Sequence, residues 1–391
     1  MQHEEPVSVA ADLQDRLLAR LRDAARDSGG WLPFDRFMAL VLYTPGLGYY
    51  ANAGRKFGAL PGSGSDFVTA PELTPLFGRA LSRQVRQALV ATATAEVWEF
   101  GAGSGALAAH LLGALGGACN AYHIVELSGV LRERQRERIA RELGEAQAAR
   151  VTWHDELPRD IRGVVVGNEV LDAMPVQLLH FDGQDWWERG VAVAQPAADG
   201  PALQWADRPT PLRPPVEGPF VPGTVTEIHP QAEAFIRTLA GRMTRGAAFF
   251  IDYGFPETEY YHPQRTGGTL MCHRGHQADP DPLSALGLKD ITSHVNFTGI
   301  ALAGQDSGLD VLGYTTQARF LLNCGLLDLL PPADPDAPAA AEAERLKSVA
   351  AVQKLVAEHE MGELFKVIGF SRGAELADAM GFAVGDRSHR L

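Results

Sequence analysis

The sequence predicts a doubly wound α/β fold built on a mostly parallel, seven-stranded sheet. From residue 96 onward, short apolar runs alternate with segments of helical periodicity, which is the pattern of parallel strands joined by crossover helices. A glycine turn at 101–105 separates the first apolar run from the first of these helical segments. Hydrophobic residues make up 46% and charged residues 21% of the 391 residues, which argues for a globular chain and against disorder.

The part of the chain before the sheet is predicted to be helical. Apolar residues recur at helical spacing within 12–26, and a second apolar-faced helix begins near Phe34 and ends before Pro45. Residues 46–71 are rich in glycine, serine and aromatic residues and are predicted to form one long loop. Loops of that length inside a compact domain are commonly functional.

Seven apolar runs are predicted to form the strands of the sheet: Glu96–Phe100, Ala121–Glu126, Arg150–Trp153, Gly163–Gly167, Ala247–Asp252, Leu309–Tyr314 and Phe365–Phe370. Helical periods at about 104–115 and 128–143 separate the first three of them. Two further strands, around Val176–Phe181 and Trp186–Val193, are predicted to pair as a hairpin. A late helix is predicted around 346–356.

Charge and cysteine content disfavour several classes of function. The chain has 35 basic and 48 acidic residues, a formal net charge of −13, so no nucleic-acid partner is predicted and a cationic protein surface suits it better. The three cysteines lie far apart without a CxxC pair, which predicts neither a disulfide framework nor a metal site. Residues 1–10 resemble no targeting signal, and no apolar run approaches the roughly 20 residues of a membrane span. We therefore expect a cytoplasmic protein without membrane insertion.

The glycine turn is the central motif of the sequence. An apolar strand enters Gly101-Ala102-Gly103-Ser104-Gly105 and a helix leaves it, and glycines permit both the tight turn and the close approach of a ligand. The same string satisfies the dinucleotide pattern G-x-G-x-x-A, so a dehydrogenase is an alternative. No Tyr-x-x-x-Lys pair occurs in the chain, which leaves a dehydrogenase without one common proton-transfer apparatus.

Three acidic residues near strand ends favour a different ligand. Glu99 precedes the turn and is suited to bind an amino group through it, directly or by water. Glu126 ends the second strand, where a carboxylate can accept both ribose hydroxyls, and Asp155 follows the third strand within reach of an adenine amino group. Together they describe an adenosine with a cationic amino-acid tail. The alternative is structural: Glu99 is a paired strand residue and Glu126 a helix-start carboxylate.

The fourth strand runs directly into Asn168-Glu169-Val170-Leu171-Asp172. Ligands of open α/β sheets bind outside the carboxyl ends of the strands, so this strand is predicted to deliver Asn168 and Glu169 to the reacting centre. Carboxylates suit a guanidinium acceptor because they grip it bidentately. Glu169 is therefore the predicted orienting residue and Asp172 a second carboxylate. Alternatively, Asn168 caps a helix, Glu169 favours the first turn of that helix and Asp172 bonds locally.

Longer motifs resemble one known family. They are Gly48-Tyr49-Tyr50, Asp66-Phe67-Val68-Thr69-Ala70-Pro71-Glu72, Phe77-Gly78, the glycine turn, Asn168-Glu169-Val170-Leu171-Asp172-Ala173-Met174-Pro175-Val176, Ile251-Asp252-Tyr253-Gly254 and Asp290-Ile291-Thr292-Ser293-His294-Val295-Asn296-Phe297. The chain resembles the MidA-like family, whose mitochondrial members are complex I assembly factors and protein arginine methyltransferases. The resemblance implies a class I methyltransferase fold, S-adenosyl-L-methionine as cofactor, and a loop before the sheet that closes over it.

The motifs and the resemblance together give the predicted site. The predicted cofactor-binding residues are Phe67, Thr69, Glu72, Glu99, Gly101, Gly103, Gly105, Glu126, Leu127, Asp155 and Asn168, and the predicted catalytic residues are Glu169 and Asp172. Residues 1–80 are expected to form N-terminal helices and the cofactor-covering loop. Residues 81–391 are expected to form a Rossmann-like methyltransferase domain with insertions at about 176–230 and 255–305.

The expected partner is a protein with an accessible arginine, similar to a respiratory complex I subunit, and the extra helices offer surface for a homodimer. Two other functions stay open at this point: methylation of a small molecule at nitrogen or oxygen, and a non-catalytic assembly chaperone that binds the cofactor. His294 and Asp252 are further candidates for substrate contact. The alternatives for them are a buried core histidine and a turn residue.

Overall fold

The computed structural model describes residues 7–52, 68–194, 202–376 and 378–391, with the side chains of 7–9 left aside. In these ranges the α-helices are α1 Val7–Ala25, α2 Phe34–Tyr43, α3 Ala70–Leu73, α4 Pro75–Thr92, α5 Ala106–Leu115, α6 Gly129–Leu143, α7 Glu145–Ala148, α8 Pro230–Arg242, α9 Glu257–Tyr260, α10 Phe297–Asp306, α11 Gln317–Asn323 and α12 Ala339–Val356.

The strands of the same ranges are β1 Trp31–Pro33, β2 Glu96–Phe100, β3 Ala121–Val125, β4 Val151–His154, β5 Ile161–Asn168, β6 Gln177–Phe181, β7 Trp186–Val193, β8 Leu203–Pro209, β9 Val225–Ile228, β10 Met243–Phe255, β11 Met271–Arg274, β12 Gln277–Asp279, β13 Asp290–Thr292, β14 Val295–Asn296, β15 Asp310–Thr316 and β16 Phe365–Arg372. All seven strands predicted for the main sheet are present within a few residues of their predicted bounds.

The chain divides into two compact units. The parallel-sheet unit comprises the described residues of 68–170, 236–254 and 300–391. The antiparallel-sheet unit comprises the described residues up to 52, those of 171–235, and 255–299. The predicted division at residue 80 differs from this one, because the N-terminal segment and both predicted insertions fold into the same unit.

The parallel-sheet unit contains seven strands in the order β15-β16-β10-β5-β2-β3-β4. β10, β5, β2, β3 and β4 run parallel to one another, and β16 runs antiparallel to both β10 and β15. Helix α5 connects β2 to β3 and helix α6 leads from β3 towards β4. This arrangement confirms the predicted mostly parallel seven-stranded sheet.

Burial explains why the strands of the parallel sheet consist of consecutive apolar residues. The four residues 163–166 of β5 are all buried, as expected for a strand covered on both faces. One apolar core joins Val97, Tyr122 and Val164 of the sheet to the buried faces of α4 and α5. Since β5 lies between β2 and β10, its carboxyl end lies in the middle of the sheet edge.

The antiparallel-sheet unit contains two smaller sheets. The first has the order β1-β7-β6-β9, with β8 also paired to β7, and it confirms the predicted β6–β7 hairpin. The second consists of β12, β11 and β13. Leu17 of α1, with Phe34 and Phe37 of α2, packs in one core with Val191 of β7. The N-terminal helices therefore belong to this unit through their apolar faces.

Candidate active site

The glycine turn lies between β2 and α5 and has a backbone that other residues adopt at a cost. Gly101, Gly103 and Gly105 have φ values of +62°, +52° and +82°. This left-handed region is open to glycine and disfavoured for residues with a Cβ. A Cβ on Gly101 would stand 3.1 Å from Cγ2 of Val170, so the turn also lies close to the end of β5. The turn offers bare backbone to a ligand, as an adenosyl cofactor requires.

Glu99 lies directly below the turn on β2 and is almost fully buried. Its Oε2 accepts a hydrogen bond from the Tyr122 hydroxyl at 2.5 Å. Burial raises the pKa of Glu99 to about 7; the Tyr122 hydrogen bond opposes the rise and the charge of Glu126 adds to it. The carboxylate itself is therefore not exposed at the site, and its role in binding an amino group through the turn stays a prediction.

Glu126 follows β3, and its carboxylate is held at both oxygens. Oε1 accepts from the backbone N–H of Ser128 at 2.9 Å, and Oε2 accepts from Nε2 of Gln135 at 3.2 Å. Burial raises the pKa of Glu126, and these two donors oppose the rise. Leu127 beside it is 70% exposed, so an apolar side chain borders the carboxylate on the solvent side.

Asp155 follows β4 and is exposed. The backbone N–H of Glu126 donates to the carbonyl of His154 at 3.0 Å, which ties the ends of β3 and β4 together. The predicted residues Glu126 and Asp155 therefore lie at the same sheet edge as the glycine turn. This edge is formed by the carboxyl ends of the parallel strands, where α/β proteins bind ligands.

The end of β5 places Glu169 in an unusual backbone conformation. Its φ is +53°, a value that costs a residue with a Cβ on the order of 1–3 kcal/mol and persists where surrounding contacts impose it. Its N–H donates to the carbonyl of Ile251 at 2.9 Å, and its Oε1 accepts from Nδ2 of Asn168 at 2.9 Å. The carboxylate is thus fixed at the central strand of the site edge.

Asp252 stabilises the backbone next to Glu169 through hydrogen bonds. Its carboxylate accepts from the backbone N–H of Val170 at 3.1 Å and from that of Tyr253 at 3.0 Å. It is buried within β10, which continues to Phe255, so it is a strand residue and not the turn residue given as its alternative. Its bonds tie β10 to the end of β5. Asp252 positions Glu169 through the main chain.

The segment before α4 contributes Glu72 and Thr69. The Glu72 carboxylate accepts from Nη1 of Arg138 at 2.7 Å and from the hydroxyl of Ser104 in the glycine turn. Thr69 precedes α3, and its carbonyl accepts from the backbone N–H of Glu72 at 3.0 Å. Both residues therefore lie in the same unit as the turn, and Glu72 contacts it. Phe67 lies outside the described residues.

Asp172 lies in the antiparallel-sheet unit and is buried. Its carbonyl accepts from the backbone N–H of Ser293 at 3.0 Å. Within that unit, the hydroxyl of Tyr50 donates to the Asp290 carboxylate at 2.8 Å. Burial raises the pKa of Tyr50 well above its usual value, and the charges of Asp290 and Asp172 contribute.

His294 lies in the same unit, and the structure shows its backbone and ring in separate contacts. Its carbonyl lies 2.9 Å from Nε2 of His229, and its ring lies 5.1 Å from that of Phe255. These contacts are what a core histidine makes, and they add no support to the substrate contact considered for it.

Three residues that the sequence did not single out complete the site: Tyr122, Gln135 and Arg138. Tyr122 binds Glu99, Gln135 binds Glu126, and Arg138 binds Ser104 at 2.7 Å. A signal for Gln135 exists in the sequence, since it lies between Leu131 and Ile139 on the buried stripe of α6. Most other residues of α6 are charged, which weakens this signal.

The described part of the chain holds no group of three or more His, Cys, Asp or Glu side chains placed to bind a metal ion, and Cys119, Cys272 and Cys324 are free and buried. Among its helices, none combines the length and the apolarity that a membrane crossing requires.

The assembled edge can hold a nucleoside and orient a nucleophile. The glycine turn leaves room for a ligand against the backbone, and Glu126 offers a held carboxylate of the kind that accepts ribose hydroxyls. Glu169 places a second carboxylate at the end of the neighbouring strand. The predicted residues Glu99, Gly101, Gly103, Gly105, Glu126, Leu127, Asp155, Asn168 and Glu169 all belong to this edge of one unit.

Comparison with known proteins points to one chemistry. Residues 76–315 match the model of a family described as "Putative S-adenosyl-L-methionine-dependent methyltransferase". The protein arginine methyltransferase NDUFAF7, mitochondrial, of Danio rerio is 26% identical over 373 residues, covering 87% of this chain and 83% of the relative. The Homo sapiens protein of that name is 26% identical over 328 residues, covering 76% of this chain and 71% of the relative.

Solved structures agree in fold over nearly the whole chain. A "likely methyl transferase" from Burkholderia thailandensis bound to S-adenosyl-homocysteine is 51% identical, with a TM-score of 0.92 and coverage of 99% of this chain and 100% of that one. A native crystal structure from the same organism is 49% identical, with a TM-score of 0.88 and the same coverage.

Proposed function

Since the chain belongs to the family of S-adenosyl-L-methionine-dependent methyltransferases, we propose that it methylates an arginine side chain of a protein. Membership confirms the predicted resemblance to the MidA-like family, the class I methyltransferase fold and the cofactor. When bound, S-adenosyl-L-methionine supplies a methyl group activated by a positively charged sulfur. The acceptor is the part of the reaction that we propose here.

The observation that carries the proposal is the fixed carboxylate of Glu169. Methyl transfer to a guanidinium depends on alignment of one nitrogen with the methyl group, and alignment is worth a large share of the barrier. A carboxylate grips a guanidinium through paired, charge-assisted hydrogen bonds. The strained backbone of Glu169, with its bonds to Ile251 and Asn168, holds such a group in one geometry.

The relatives support the same acceptor. Proteins matched over three quarters or more of this chain are named protein arginine methyltransferases. An acidic chain of net charge −13 suits a basic protein acceptor. We therefore propose a protein partner with an accessible arginine, and complex I subunits are the first candidates to test because the MidA-like resemblance suggested them.

The direct test is the identity of the methylated product. The purified chain is incubated with S-adenosyl-L-methionine labelled at the methyl group and with proteins extracted from a source-organism strain that lacks the gene. We expect the label in protein, released on hydrolysis as methylarginine. Label confined to small molecules, or to protein residues other than arginine, would contradict the arginine proposal.

A variant of Glu169 tests its role in the same assay. Glu169→Gln keeps the side-chain volume and removes the charge, so we expect affinity for S-adenosyl-homocysteine within about threefold and turnover lower by about 100-fold. Glu145→Gln, an exposed position on α7, is the matched control and should behave as the unaltered chain. Equal turnover in Glu169→Gln would remove Glu169 from the reaction.

A further inference from the structure

Helix α6 has a polar residue in the middle of its buried face. Leu131, Gln135 and Ile139 follow one another at spacings of four residues and are the buried positions of this helix. Gln135 is 0% exposed. A buried side-chain amide is costly unless its donors and acceptor are bonded, so the partners of Gln135 show what it does there.

Three hydrogen bonds account for the amide. Nε2 of Gln135 donates to the carbonyl of Gly103 at 3.0 Å and to Oε2 of Glu126 at 3.2 Å. Its Oε1 accepts from Nε1 of Trp153 at 2.9 Å. An indole nitrogen can only donate, so Trp153 fixes which end of the amide carries the oxygen. The amino end must then face Gly103 and Glu126.

The contact between α6 and the glycine turn extends over successive residues of the turn. A Cβ on Gly105 would stand 3.1 Å from Cα of Gln135, which shows how closely the two backbones approach. One turn further along α6, Nη1 of Arg138 donates to the hydroxyl of Ser104 at 2.7 Å. The turn is therefore supported at 103, 104 and 105 by a single helix.

We propose that Gln135 is a positioning residue that couples the glycine turn to Glu126, so that the cofactor meets both in one fixed arrangement. This inference rests on the ribose-binding role predicted for Glu126. A carboxylate that receives two ribose hydroxyls must be ionised and must not rotate. Gln135 meets both needs, because its donor favours the charged carboxylate and its other two bonds anchor it to the turn and to β4.

The experiment measures affinity for S-adenosyl-homocysteine by calorimetry, which is independent of the methyl acceptor. Gln135→Met preserves the side-chain length and removes all three hydrogen bonds. We expect its dissociation constant to rise by about 10- to 150-fold, the range for losing a hydrogen bond to a charged group. Gln84→Met is the matched control, since Gln84 is equally buried and bonds to Gln87 and Gly381 instead. It should leave the affinity within about threefold.

A double-variant cycle separates positioning from simple loss of packing. If Gln135 acts through Glu126, Gln135→Met should weaken binding by less than about threefold when Glu126 is already alanine. An undiminished loss in the Glu126→Ala background would overturn the coupling. So would an equal loss in Gln84→Met, because it would show a general response to a missing buried amide.

Two further outcomes distinguish failure of the Gln135 coupling from failure of the ribose role of Glu126 and of the arginine proposal. If Glu126→Ala alone leaves affinity unchanged, the ribose role of Glu126 fails and the coupling fails with it, while the arginine proposal stands untouched. Should Gln135→Met not fold, Gln135→Leu takes its place, because it is a smaller apolar side chain that likewise removes both donors to Gly103 and Glu126. Unchanged affinity in folded Gln135→Leu would also overturn the inference.

Discussion

Glu126 in the parallel-sheet unit and Glu227 in the antiparallel-sheet unit are both shielded from solvent, and burial raises the pKa of each. Glu227 is 1% exposed, and its carboxylate accepts from the backbone N–H of Thr269 and Leu270 and from the hydroxyl of Tyr260. Glu126 accepts from one backbone N–H and one side-chain amide.

The difference in hydrogen-bond donors distinguishes Glu227, a structural carboxylate, from Glu126, a carboxylate that can bind a ligand. A carboxylate has about four acceptor sites. Three donors from its own chain, together with burial that leaves 1% of the residue exposed, close Glu227 to other partners, and they fix the segment 269–270 against β9. Glu126 is half-buried at a strand end and keeps acceptor capacity there. Exposure and the number of donors therefore both distinguish the two carboxylates.

The largest effect on the free energy of unfolding is expected at Glu227, whose carboxylate accepts more hydrogen bonds than that of Glu126. Glu227→Ala removes a buried acceptor from the N–H groups of Thr269 and Leu270 and from the Tyr260 hydroxyl, so we expect the free energy of unfolding to fall by about 4 kcal/mol. Urea unfolding followed by circular dichroism measures it. Affinity for S-adenosyl-homocysteine should be unchanged in the fraction that remains folded. A loss below about 1 kcal/mol would show that Glu227 does not anchor this unit.

Glu99 sharpens the comparison, because it is a buried carboxylate with a single hydroxyl donor, Tyr122. Its pKa in the folded chain is about 7, above its usual value of 4.5, so the folded state holds the proton more tightly than the unfolded state. The stability that this proton contributes is therefore present below about pH 4.5 and is lost as the pH rises through 7.

Glu99→Gln removes this titration. Between pH 5 and pH 8, we expect the variant to gain roughly 2–3 kcal/mol in free energy of unfolding relative to the unaltered chain. Denaturant unfolding at the two pH values measures it, with the exposed Glu145→Gln as control. A difference between variant and unaltered chain that does not grow with pH would mean that Glu99 is ionised throughout.

The smallest effect on free energy is expected at Glu126, and it should appear in binding. Glu126→Ala should weaken S-adenosyl-homocysteine binding by about 1.5–3 kcal/mol, since a charge-assisted contact to the ribose is lost. Its free energy of unfolding should change by only about 1 kcal/mol, because few donors are left without a partner. The reverse result, lost stability with unchanged affinity, would place Glu126 in the same class as Glu227.

Local patterns in the sequence were sufficient for much of the fold. The buried strands of the parallel sheet are short apolar runs such as 163–166, and their order of appearance between helices predicts parallel pairing. The small strands β1, β8 and β9 were not predicted. β1 and β9 are short and pair with β7 and β6, which are distant from them in sequence, and β8 is largely exposed.

The same distinction between local patterns and contacts distant in sequence applies to the residues of the candidate site. Residues at strand ends, such as Glu99, Glu126 and Glu169, were found because the carboxyl edge of a parallel sheet is known once the strands are known. Gln135 and Arg138 were missed because their partners lie 9 to 66 positions away along the chain.

The sequence by itself determined the strand–turn–helix unit around the glycines, the sheet that contains it and the carboxylates at its edge, because each follows from a local pattern of apolar and small residues. Only the tertiary structure decided which carboxylates are saturated and which are open. It also decided that α6 braces the turn and that Glu169 adopts a strained backbone. Those properties depend on donors brought together from distant segments, and hydrogen-bond geometry across a fold has no local signature.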